Sequence, residues 1–498
     1  MVGDEPGPRT DRPSMRRAFL RQAVSLVAAG PLTVGLPRAR QATAAPADPA
    51  AGPALPVDPV TGRIDPLPAI RRSGVRVAIT DFATPPPTSA TRPRANLNYL
   101  FHAGDGLPFV YACDTRGKLW RIQTDTGAIS LFLDAKDVRG AALLTTGQQM
   151  GLRSFAFHPD FRRPGRPGYR CLYTVSTETA GSRPAGVALF AGGHPVLHHD
   201  VVAEWKVYAG DFSRVDPTSR RELLRIAQWK SDHNTDQVLF DLAAPLGSAD
   251  YGLLYFATGD GGKGTGFTDP YDAAQDGRLL LGKLCRIDPL AAGSARYRVP
   301  RGNPFVGRPG FRPEIFALGL RHPQNLCFDQ RRLILTDIGE DQIEEVNIGL
   351  AGANYGWPLR EGPFVPDRSD GAVLYRLPAG DAARGFVYPA AMYDHDDGRA
   401  ITGGFVYRGS RIPALRGHYL CGDIVNGRIF HVPAKDLRPG GGAVLRELTL
   451  RRAGRTATLG RLVGTRGRVD LRFGQDGAGE VYVMTKQDGV IRRLDRAS

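Results

Sequence analysis

An Asp232–His233 pair, in the stretch SDHNTDQVLF that begins at Ser231, has the residue types needed for proton transfer. Histidine is the usual general base because its unperturbed pKa lies near ~6.5, and a neighbouring carboxylate can orient its ring. The pair also fits a purely structural role, in which His233 is a hydrogen-bonded histidine at a sheet rim and Asp232 caps a strand. The two residues alone leave both interpretations open.

The elements that must position this pair are two short apolar runs. One run follows the pair directly, a second covers Leu253 to Ala257, and a glycine-rich turn at 259–262 ends the stretch. Two β-like runs joined by turn signals predict one hairpin of a sheet. The pair therefore belongs to a loop at the rim of a sheet, where rigid scaffolds usually carry functional residues. Within the glycine-rich turn, Asp260 is most simply a turn residue.

A turn followed by a short run of Leu, Val, Tyr or Phe recurs six times along the chain. Such repeats predict the blades of a β-propeller, in which each small sheet buries its faces against its neighbours. We expect an all-β, six-bladed propeller with long inserted loops, although the spacing also allows seven blades. The run Val75 to Phe82 is expected to close the ring against the last blade and remove an open edge. The six occurrences are GKLWRI from Gly117, GYRCLYTV from Gly168, YGLLYFA from Tyr251, RRLILTD from Arg331, GHYLCGD from Gly417 and GEVYVMT from Gly479.

Helical periodicity is scarce, and 219–226 is the best candidate for a short helix. Substrate specificity is expected to lie in the loops, above all in 176–230 and 359–399. The predicted loops are 176–198, 209–230, 262–278, 290–313 and 359–399.

The N-terminus has the pattern of an export signal. A twin arginine at Arg16 and Arg17 precedes Phe-Leu-Arg, an apolar run follows, and Ala42-Thr43-Ala44 has the form of a cleavage site. This predicts a twin-arginine signal over 1–44, with an ordinary basic signal peptide as the alternative, and hence a periplasmic or extracellular protein. Residues 45–70 are rich in Pro and Ala and predict a linker, which leaves 71–498 as the catalytic propeller domain.

Composition narrows the functional classes. Apolar residues make up 42% of the chain, enough for a core. The apolar run of the export signal is shorter than the ~20 residues that span a bilayer, and no other such run exists, so we expect no transmembrane segment in the mature chain. Without residues 1–44 the chain carries 58 basic and 47 acidic residues, a net charge of +11. No basic cluster with interleaved aromatic residues accompanies this charge, which favours anionic ligands over nucleic acid.

The five cysteines are widely spaced, without C-x-x-C or metal-ligand spacing. Each lies in an apolar run, where a free cysteine behaves as a small apolar side chain. An odd count in an exported protein leaves at least one free thiol or an intermolecular bridge, and reduced, buried cysteines fit folding before export.

Six phrases, in order over about 95–494, resemble the soluble pyrroloquinoline-quinone (PQQ) dependent glucose and aldose sugar dehydrogenases and their glucose/sorbosone dehydrogenase relatives. The resemblance implies a six-bladed propeller that binds PQQ and Ca²⁺ and oxidises an aldose at its anomeric carbon to a lactone. The electron acceptor and the sugar stay undefined. The phrases are GLRSFAFHPDF (151–161), the stretch 231–262, AAQDGRLLLGKLCRIDP (273–289), EIFALGLRHPQNLCFD (314–329), EEVNIGLAGANYGWP (344–358) and ITGGFVYRGSRIPALRGHYLCGD (401–423).

The resemblance also implies roles for individual residues. His233 occupies the position of the base that takes the proton of the anomeric hydroxyl while hydride passes to the quinone, and Asp232 is the adjacent acid. Arg321 matches an arginine that contacts the quinone side, and His322 stands where the family usually has Asn. Gln149 matches a glutamine ahead of the first-blade phrase and is assigned to the cofactor.

The calcium ion of the family is held partly by backbone carbonyls, and the matching positions here are Gly339 and Glu340. A hard cation takes oxygen ligands and polarises the quinone carbonyl that receives hydride.

The family holds the cofactor carboxylates with a lysine in the fifth blade and two arginines near the last blade. Here Asp423 stands near the lysine position, and Arg428 follows it. Arg466 and Arg468 lie near the last blade without a clean register. Because arginine can pair a carboxylate bidentately, we expect Arg428, with Arg466 or Arg468, to reach the pocket of His233.

Two other functions fit the same fold, because a fold alone does not choose an activity. Animal relatives in the broader family bind proteins, so a non-catalytic propeller that binds a glycan or a protein is the main alternative, motivated by Asp423 and His322. A calcium-dependent lactonase is a third, but the sequence offers no cluster of side-chain ligands for it. Saturable binding of PQQ with calcium discriminates the first function from the second.

Overall fold

Strands dominate the part of the chain that the computed structural model describes, which is 51–57, 64–147, 149–262, 272–290, 295–369 and 372–497. The predicted export signal at 1–44 lies outside the described residues, as do parts of the loops predicted at 262–278, 290–313 and 359–399. The described residues belong to one compact unit. None of their helices is long and apolar enough to cross a membrane.

The strands form successive groups of four, with a fifth strand in the second group, and most neighbours in a group pair antiparallel. After β1 (Arg72–Ala83), the first half of the chain contains β2 (Leu97–His102), β3 (Phe109–Asp114), β4 (Lys118–Gln123) and β5 (Ile129–Asp134); then α1 (Ala135–Arg139), β6 (Leu152–Phe157), β7 (Cys171–Glu178), β8 (Ala188–Phe190), β9 (His198–Tyr208) and β10 (Asp211–Gln228); then β11 (Gln237–Phe240), β12 (Leu254–Thr258), β13 (Lys283–Ile287) and β14 (Ile315–Leu318). Sheet order is β2-β3-β4-β5, β6-β7-β9-β10-β8 and β11-β12-β13-β14.

The second half of the chain repeats this plan. It contains β15 (Pro323–Asp329), β16 (Arg332–Asp337), β17 (Ile343–Ile348), β18 (Phe364–Pro366), β19 (Leu374–Arg376) and β20 (Ala391–Asp394); then β21 (Ile401–Val406), β22 (His418–Asp423), β23 (Ile429–Pro433), β24 (Arg446–Arg452) and β25 (Arg455–Thr456); then α2 (Leu459–Val463), β26 (Leu471–Gln475), β27 (Val481–Thr485) and β28 (Ile491–Arg496). Sheet order is β15-β16-β17-β20 and β21-β22-β23-β24, and β18 pairs with β19 as a separate ribbon. Single-turn 3₁₀ helices cover Gly140–Ala142, Ala180–Ser182, Asp381–Arg384, Pro413–Leu415 and Ala434–Asp436.

The first strand completes the last group. β1 pairs antiparallel with β28, with Ile79 opposite Leu494, and parallel with β24. At the other end of this group, Leu100 of β2 lies opposite Gly474 of β26. A Cβ on Gly474 would lie 2.5 Å from Leu100, so only glycine allows this approach. The prediction that the run from Val75 closes the arrangement is confirmed.

All six occurrences of the recurring phrase lie on strands, namely β4, β7, β12, β16, β22 and β27. The predicted hairpin is also confirmed, since β11 and β12 pair antiparallel with Gln237 opposite Ala257. The helix predicted at 219–226 and the loop predicted at 209–230 are wrong, because β10 covers this segment and pairs with β9. Leu224 and Ile226 are buried in a core shared with neighbouring strands, and this packing overrides the helix-like spacing.

The stretch at 45–70, predicted as a linker, packs on the unit where it is described. Leu55 and Ile64 are buried in one cluster with Ile343 and Leu374. A backbone hydrogen bond also holds this stretch, since the N–H of Gly52 donates to the carbonyl of Arg376 at 3.0 Å.

The five cysteines are buried and free, as expected. Burial raises the pKa of the Cys113 and Cys171 thiols to about 12. Such thiols stay protonated near neutral pH and act as small apolar side chains.

Candidate active site

The loop between β10 and β11 carries His233 and is held from both sides. Nε2 of His198 lies 2.9 Å from the side-chain oxygen of Asn234. The amide of Asn234 donates to the backbone carbonyl of Gln149 at 3.0 Å. His233 itself has a φ of +52°, a left-handed conformation that costs a non-glycine residue roughly 1–3 kcal/mol. The surrounding bonds therefore hold a strained residue in place, which is typical of a functional position.

The ring of His233 pairs with the carboxylate of Asp260, with 2.6 Å between Nδ1 and Oδ1. Two further donors fix that carboxylate. Nε1–H of Trp357 donates to Oδ2 at 2.8 Å, and the N–H of Gly262 donates to Oδ1 at 2.9 Å. Donors on a carboxylate favour its ionised form, which can only accept hydrogen bonds. Nδ1 therefore carries the proton, and Nε2 keeps a lone pair.

Burial sets the protonation of this pair. It lowers the pKa of the His233 imidazole, and the charges of Arg321 and His322 add to this effect although Asp260 opposes it. Burial alone would raise the pKa of Asp260, but His233 and Arg321 hold that pKa below its usual value. Near neutral pH the pair is a neutral imidazole on an ionised carboxylate, the arrangement of a general base.

The carboxylate that orients His233 is not its sequence neighbour. Asp232 is half-buried beside Gly262, where an added Cβ would lie 2.4 Å from its Oδ1. The prediction that Asp232 orients the ring is corrected to Asp260, because the end of β12 packs against the loop and brings Asp260 onto Nδ1. A catalytic role for Asp232 itself stays a prediction.

His322 stacks on His233, with ring centroids 4.6 Å apart and planes 12° from parallel. Its Nε2 lies 2.7 Å from Oδ2 of Asp236, whose Oδ1 accepts from Nε of Arg153 at 2.9 Å. Burial would raise the pKa of Asp236, but Arg153 and His322 hold it well below its usual value. The His322 ring is therefore locked beside His233 by a buried ion pair.

Arg321 binds the turn that the resemblance assigns to calcium. Its Nη1 donates to the carbonyls of Ile338 and Gly339 at 2.9 and 2.7 Å, and its Nε donates to the Glu340 carboxylate at 2.9 Å. The guanidinium also lies over the ring of Trp357, 5.4 Å from its centroid. Both predicted metal ligands, Gly339 and Glu340, thus already bind a cation of the protein.

This turn does not fit a calcium ion as it stands. A dication on the Gly339 carbonyl would lie beside the Arg321 guanidinium, and like charges repel. Oε1 of Glu361 accepts the N–H groups of 340–343 at 2.9 to 3.2 Å, which fixes the turn from its other side. Within the described ranges, no three His, Cys, Asp or Glu side chains are placed to hold a metal ion.

A polar cavity of about 260 Å³ lies beside the His233 loop. Gln149 lines this cavity, and its side-chain oxygen accepts the N–H of His233 at 2.8 Å. Ile338, whose carbonyl Arg321 binds, lines it too. The polar residues on its walls are Asn96, Gln149, Gln324, Arg468, Asp470, Arg472 and Lys486.

The predicted cofactor arginines are divided. Arg468 lies on the wall of this cavity, and Arg466 is exposed. Arg428 instead pairs with Asp397 and Glu447 at 2.5 and 3.0 Å and lines a separate cavity. The prediction that Arg428 reaches the pocket of His233 is therefore wrong, because two carboxylates hold its guanidinium elsewhere.

Asp423, near the family lysine position, closes a turn. Its Oδ2 accepts the N–H groups of Arg399 and Ala400 at 2.6 and 2.8 Å. Its Oδ1 accepts those of Val425 and Asn426 at 3.0 and 2.7 Å. Four backbone bonds explain the carboxylate at this position without a ligand.

Sequence reasoning misses four residues of the site: Asp260, Asp236, Arg472 and Lys486. A signal for Asp260 exists, since it lies two residues after β12, the strand that pairs with the strand following His233. For Arg472 and Lys486 the signal is a cation in or just after an apolar strand, where charged residues are rarely buried.

The protein therefore belongs to the class of β-propeller-like proteins. It carries a buried His–Asp pair, and a cavity lined by basic residues lies beside the loop of that histidine. The sequence profile of the Glucose / Sorbosone dehydrogenase family matches residues 115–493. The chain belongs to this family.

Two curated relatives mark the range of the family. The HIPL1 protein of Arabidopsis thaliana is 30% identical over 317 residues, which cover 55% of this chain and 43% of that protein. Hedgehog-interacting protein of Homo sapiens is 26% identical over 398 residues, 78% of this chain and 49% of that protein. The chain thus spans about half the length of the curated relatives it matches.

Two solved structures share the fold. The apo form of the soluble aldose sugar dehydrogenase from Escherichia coli has a TM-score of 0.55 at 21% identity, and the match covers 84% of this chain and 99% of that one. The PQQ-bound aldose sugar dehydrogenase from Streptomyces coelicolor has a TM-score of 0.52 at 18% identity, covering 86% and 99%. At these identities the likeness defines the fold alone.

Proposed function

We propose that this protein is an exported quinoprotein that oxidises an aldose at its anomeric carbon to a lactone. The observation that carries this proposal is the His233–Asp260 pair, a neutral imidazole whose Nδ1 is bound by an ionised carboxylate. Family membership and the PQQ-bound structural neighbour support a sugar dehydrogenase. The six groups of strands are proposed to be six blades, and the twin-arginine segment at 1–44 is proposed to direct export.

The residues divide the chemistry as follows. Nε2 of His233 takes the proton of the anomeric hydroxyl, and Asp260 stabilises the imidazolium that forms. PQQ, when bound, supplies the two-electron acceptor for the hydride that leaves the anomeric carbon. The substrate thereby loses one proton and one hydride and becomes a lactone. Trp357 and Gly262 keep the Asp260 carboxylate on Nδ1, so the ring stays in the tautomer that accepts at Nε2.

The cavity beside the pair fits an anionic cofactor. Its walls carry Arg468, Arg472 and Lys486 against one carboxylate, Asp470. A multiply charged carboxylate ligand compensates such a surplus, and PQQ has three carboxylates. Calcium belongs to the same expectation, but since Gly339 and Glu340 engage Arg321, no step is assigned to the ion.

The test is dye-linked aldose oxidation after loading with PQQ, with and without calcium. His233→Ala should lower kcat by about 10²–10⁴-fold through loss of the base, and Asp260→Asn should lower it through loss of the tautomer. Both variants should keep the wild-type circular dichroism spectrum and bind PQQ. His418→Ala removes a histidine from a separate cavity and should keep full activity. Wild-type kcat in His233→Ala would overturn the mechanism.

A propeller that binds a protein or a glycan and catalyses nothing is the second candidate. It is favoured by the similarity to Hedgehog-interacting protein and by the locked His322, which replaces the usual Asn. Titration of the purified protein with PQQ, followed by absorbance, separates the two. Absence of saturable binding favours the binding protein.

A further inference from the structure

Three cations and one carboxylate face each other across the cavity beside the His233 loop. Arg468, Arg472 and Lys486 line it together with Asp470. Asp470 is already engaged, since its Oδ1 accepts from Nε of Arg468 at 2.6 Å and its Oδ2 accepts from Gln487 at 3.1 Å. Asp470 acts electrostatically on Arg472 and Lys486, but no carboxylate among the described residues forms a hydrogen bond or an ion pair with either side chain.

The contacts of these two cations are neutral or missing. Arg472 donates to the side-chain oxygen of Asn98 at 3.3 Å and to the carbonyl of Leu471 at 2.7 Å. Among the residues that the structure describes, none accepts a hydrogen bond from the Lys486 ammonium. Arg472 and Lys486 are only 4% and 6% exposed, so water can supply few of the hydrogen bonds that the protein does not provide.

Nearby groups add to this imbalance. Among the described residues, Nη1 of the buried Arg153 has no hydrogen-bond partner. Burial lowers the pKa of Lys486 well below its usual value, and the charges of Arg472 and Arg153 lower it further. Burial likewise lowers the pKa of Arg472 to about 10. Buried charge without partners is costly, so a site of this kind is completed by an anion.

We infer that Arg472 and Lys486 form the carboxylate-binding end of the cofactor site, in place of the lysine that Asp423 replaces. This inference rests on the proposed function and adds residues that the family motifs do not supply. The ligand is a small aromatic polycarboxylate, because the cavity of about 260 Å³ admits one small molecule and no polymer. Gln149 joins this end to the base, since it lines the cavity and accepts the N–H of His233.

Charge-assisted bonds to carboxylates are the strong ones, so loss of either cation should be visible in binding. PQQ and benzene-1,3,5-tricarboxylate are titrated by calorimetry into wild type, Arg472→Met, Lys486→Met and the double variant. Each single change should raise Kd by at least about tenfold. Lys435→Met, an exposed lysine of another cavity, should leave Kd unchanged. The uncharged trimethyl ester should not bind.

Proton uptake on ligand binding is a measurement that would not change if Lys486 had only a structural role. Since burial keeps the Lys486 pKa below its usual value in the free protein, binding of a tricarboxylate should take up a proton at some pH below that usual value. Titration in two buffers of different ionisation enthalpy measures that uptake, and Lys486→Met should abolish it. The free variants should melt at or above the wild-type temperature, because a buried polar side chain without an ion-pair partner is replaced by an apolar one. Loss of binding is then not a loss of folding.

The outcomes separate this inference from the proposed function. If wild type binds both probes through Arg472 and Lys486 but oxidises no aldose when loaded with PQQ, the inference stands and the proposed function fails. If the double variant binds PQQ with wild-type Kd, the inference is wrong, whatever the activity. If wild type binds neither probe, both are overturned.

Discussion

Arg428 is half-buried and Arg472 is buried, both in the closing third of the chain, and the two guanidinium groups have different partners. Arg428 is paired with two carboxylates, Asp397 and Glu447. Its guanidinium is partly desolvated, yet these partners raise its pKa above the usual value. Among the described residues no carboxylate forms an ion pair with Arg472, and burial together with Arg153 and Arg468 lowers its pKa although Asp470 opposes them.

The comparison shows how a structural arginine differs from an arginine that is suited to bind an anionic ligand. A guanidinium whose donors are filled by the protein has nothing left for a cofactor, however suitable its position in a motif. A buried guanidinium beside other cations costs free energy that only an anion offsets. Motif matching favours Arg428, whereas charge balance favours Arg472.

The largest loss of stability should follow from removing the carboxylate of a fully buried ion pair. Arg153 and Asp236 are at most 1% exposed, and Asp236→Asn would leave the guanidinium without its counter-charge. Breaking a buried ion pair costs about 3–5 kcal/mol. We expect a loss of this size in the free energy of unfolding, and urea unfolding is the measurement that checks it. Asp211→Asn, in an exposed pair with Arg214, is the control and should change little. Equal, small losses in both variants would contradict the burial argument.

A smaller loss of stability is expected when Arg428 is removed. Arg428→Met leaves Asp397 and Glu447 partly buried without their donor, at a cost of about 1–3 kcal/mol in the free energy of unfolding. Calorimetric affinity for PQQ should stay at the wild-type value. A marked fall in PQQ affinity with unchanged stability would return Arg428 to the cofactor site.

The smallest effect concerns the pH dependence of stability. The pKa of Lys486 is lower in the folded protein than the ~10.4 of an unfolded chain, so between these values the unfolded state binds more protons. Stability of the empty protein should therefore rise with pH in this window, by at most ~1.4 kcal/mol per pH unit from this group. Urea unfolding at several pH values between 7 and 10 should give a shallower rise for Lys486→Met. An identical pH slope in both proteins would mean that Lys486 is not desolvated.

Much of the fold is predictable from local pattern. Alternation of apolar residues with turn signals predicts the six recurring strands and the hairpin after His233, because both depend on neighbours in sequence. The prediction fails at 209–230, where spacing suggests a helix and a loop. There β9 supplies the partner strand from residues upstream, and burial against other strands decides the outcome.

By itself the sequence determined that His233 lies on a rim loop and that Arg321 follows a family phrase, since both statements need only local order. Tertiary structure decided which charges meet. Asp260 reaches His233 from 27 residues away, Gln149 from 84, and Asp236 joins Arg153 across 83. The free energy of a charge depends on burial and on partners within a few ångströms, and chain separation does not encode either. For that reason Asp260, and not Asp232, is the carboxylate on the His233 ring, and Arg428 lies in a different cavity from Arg472 and Lys486.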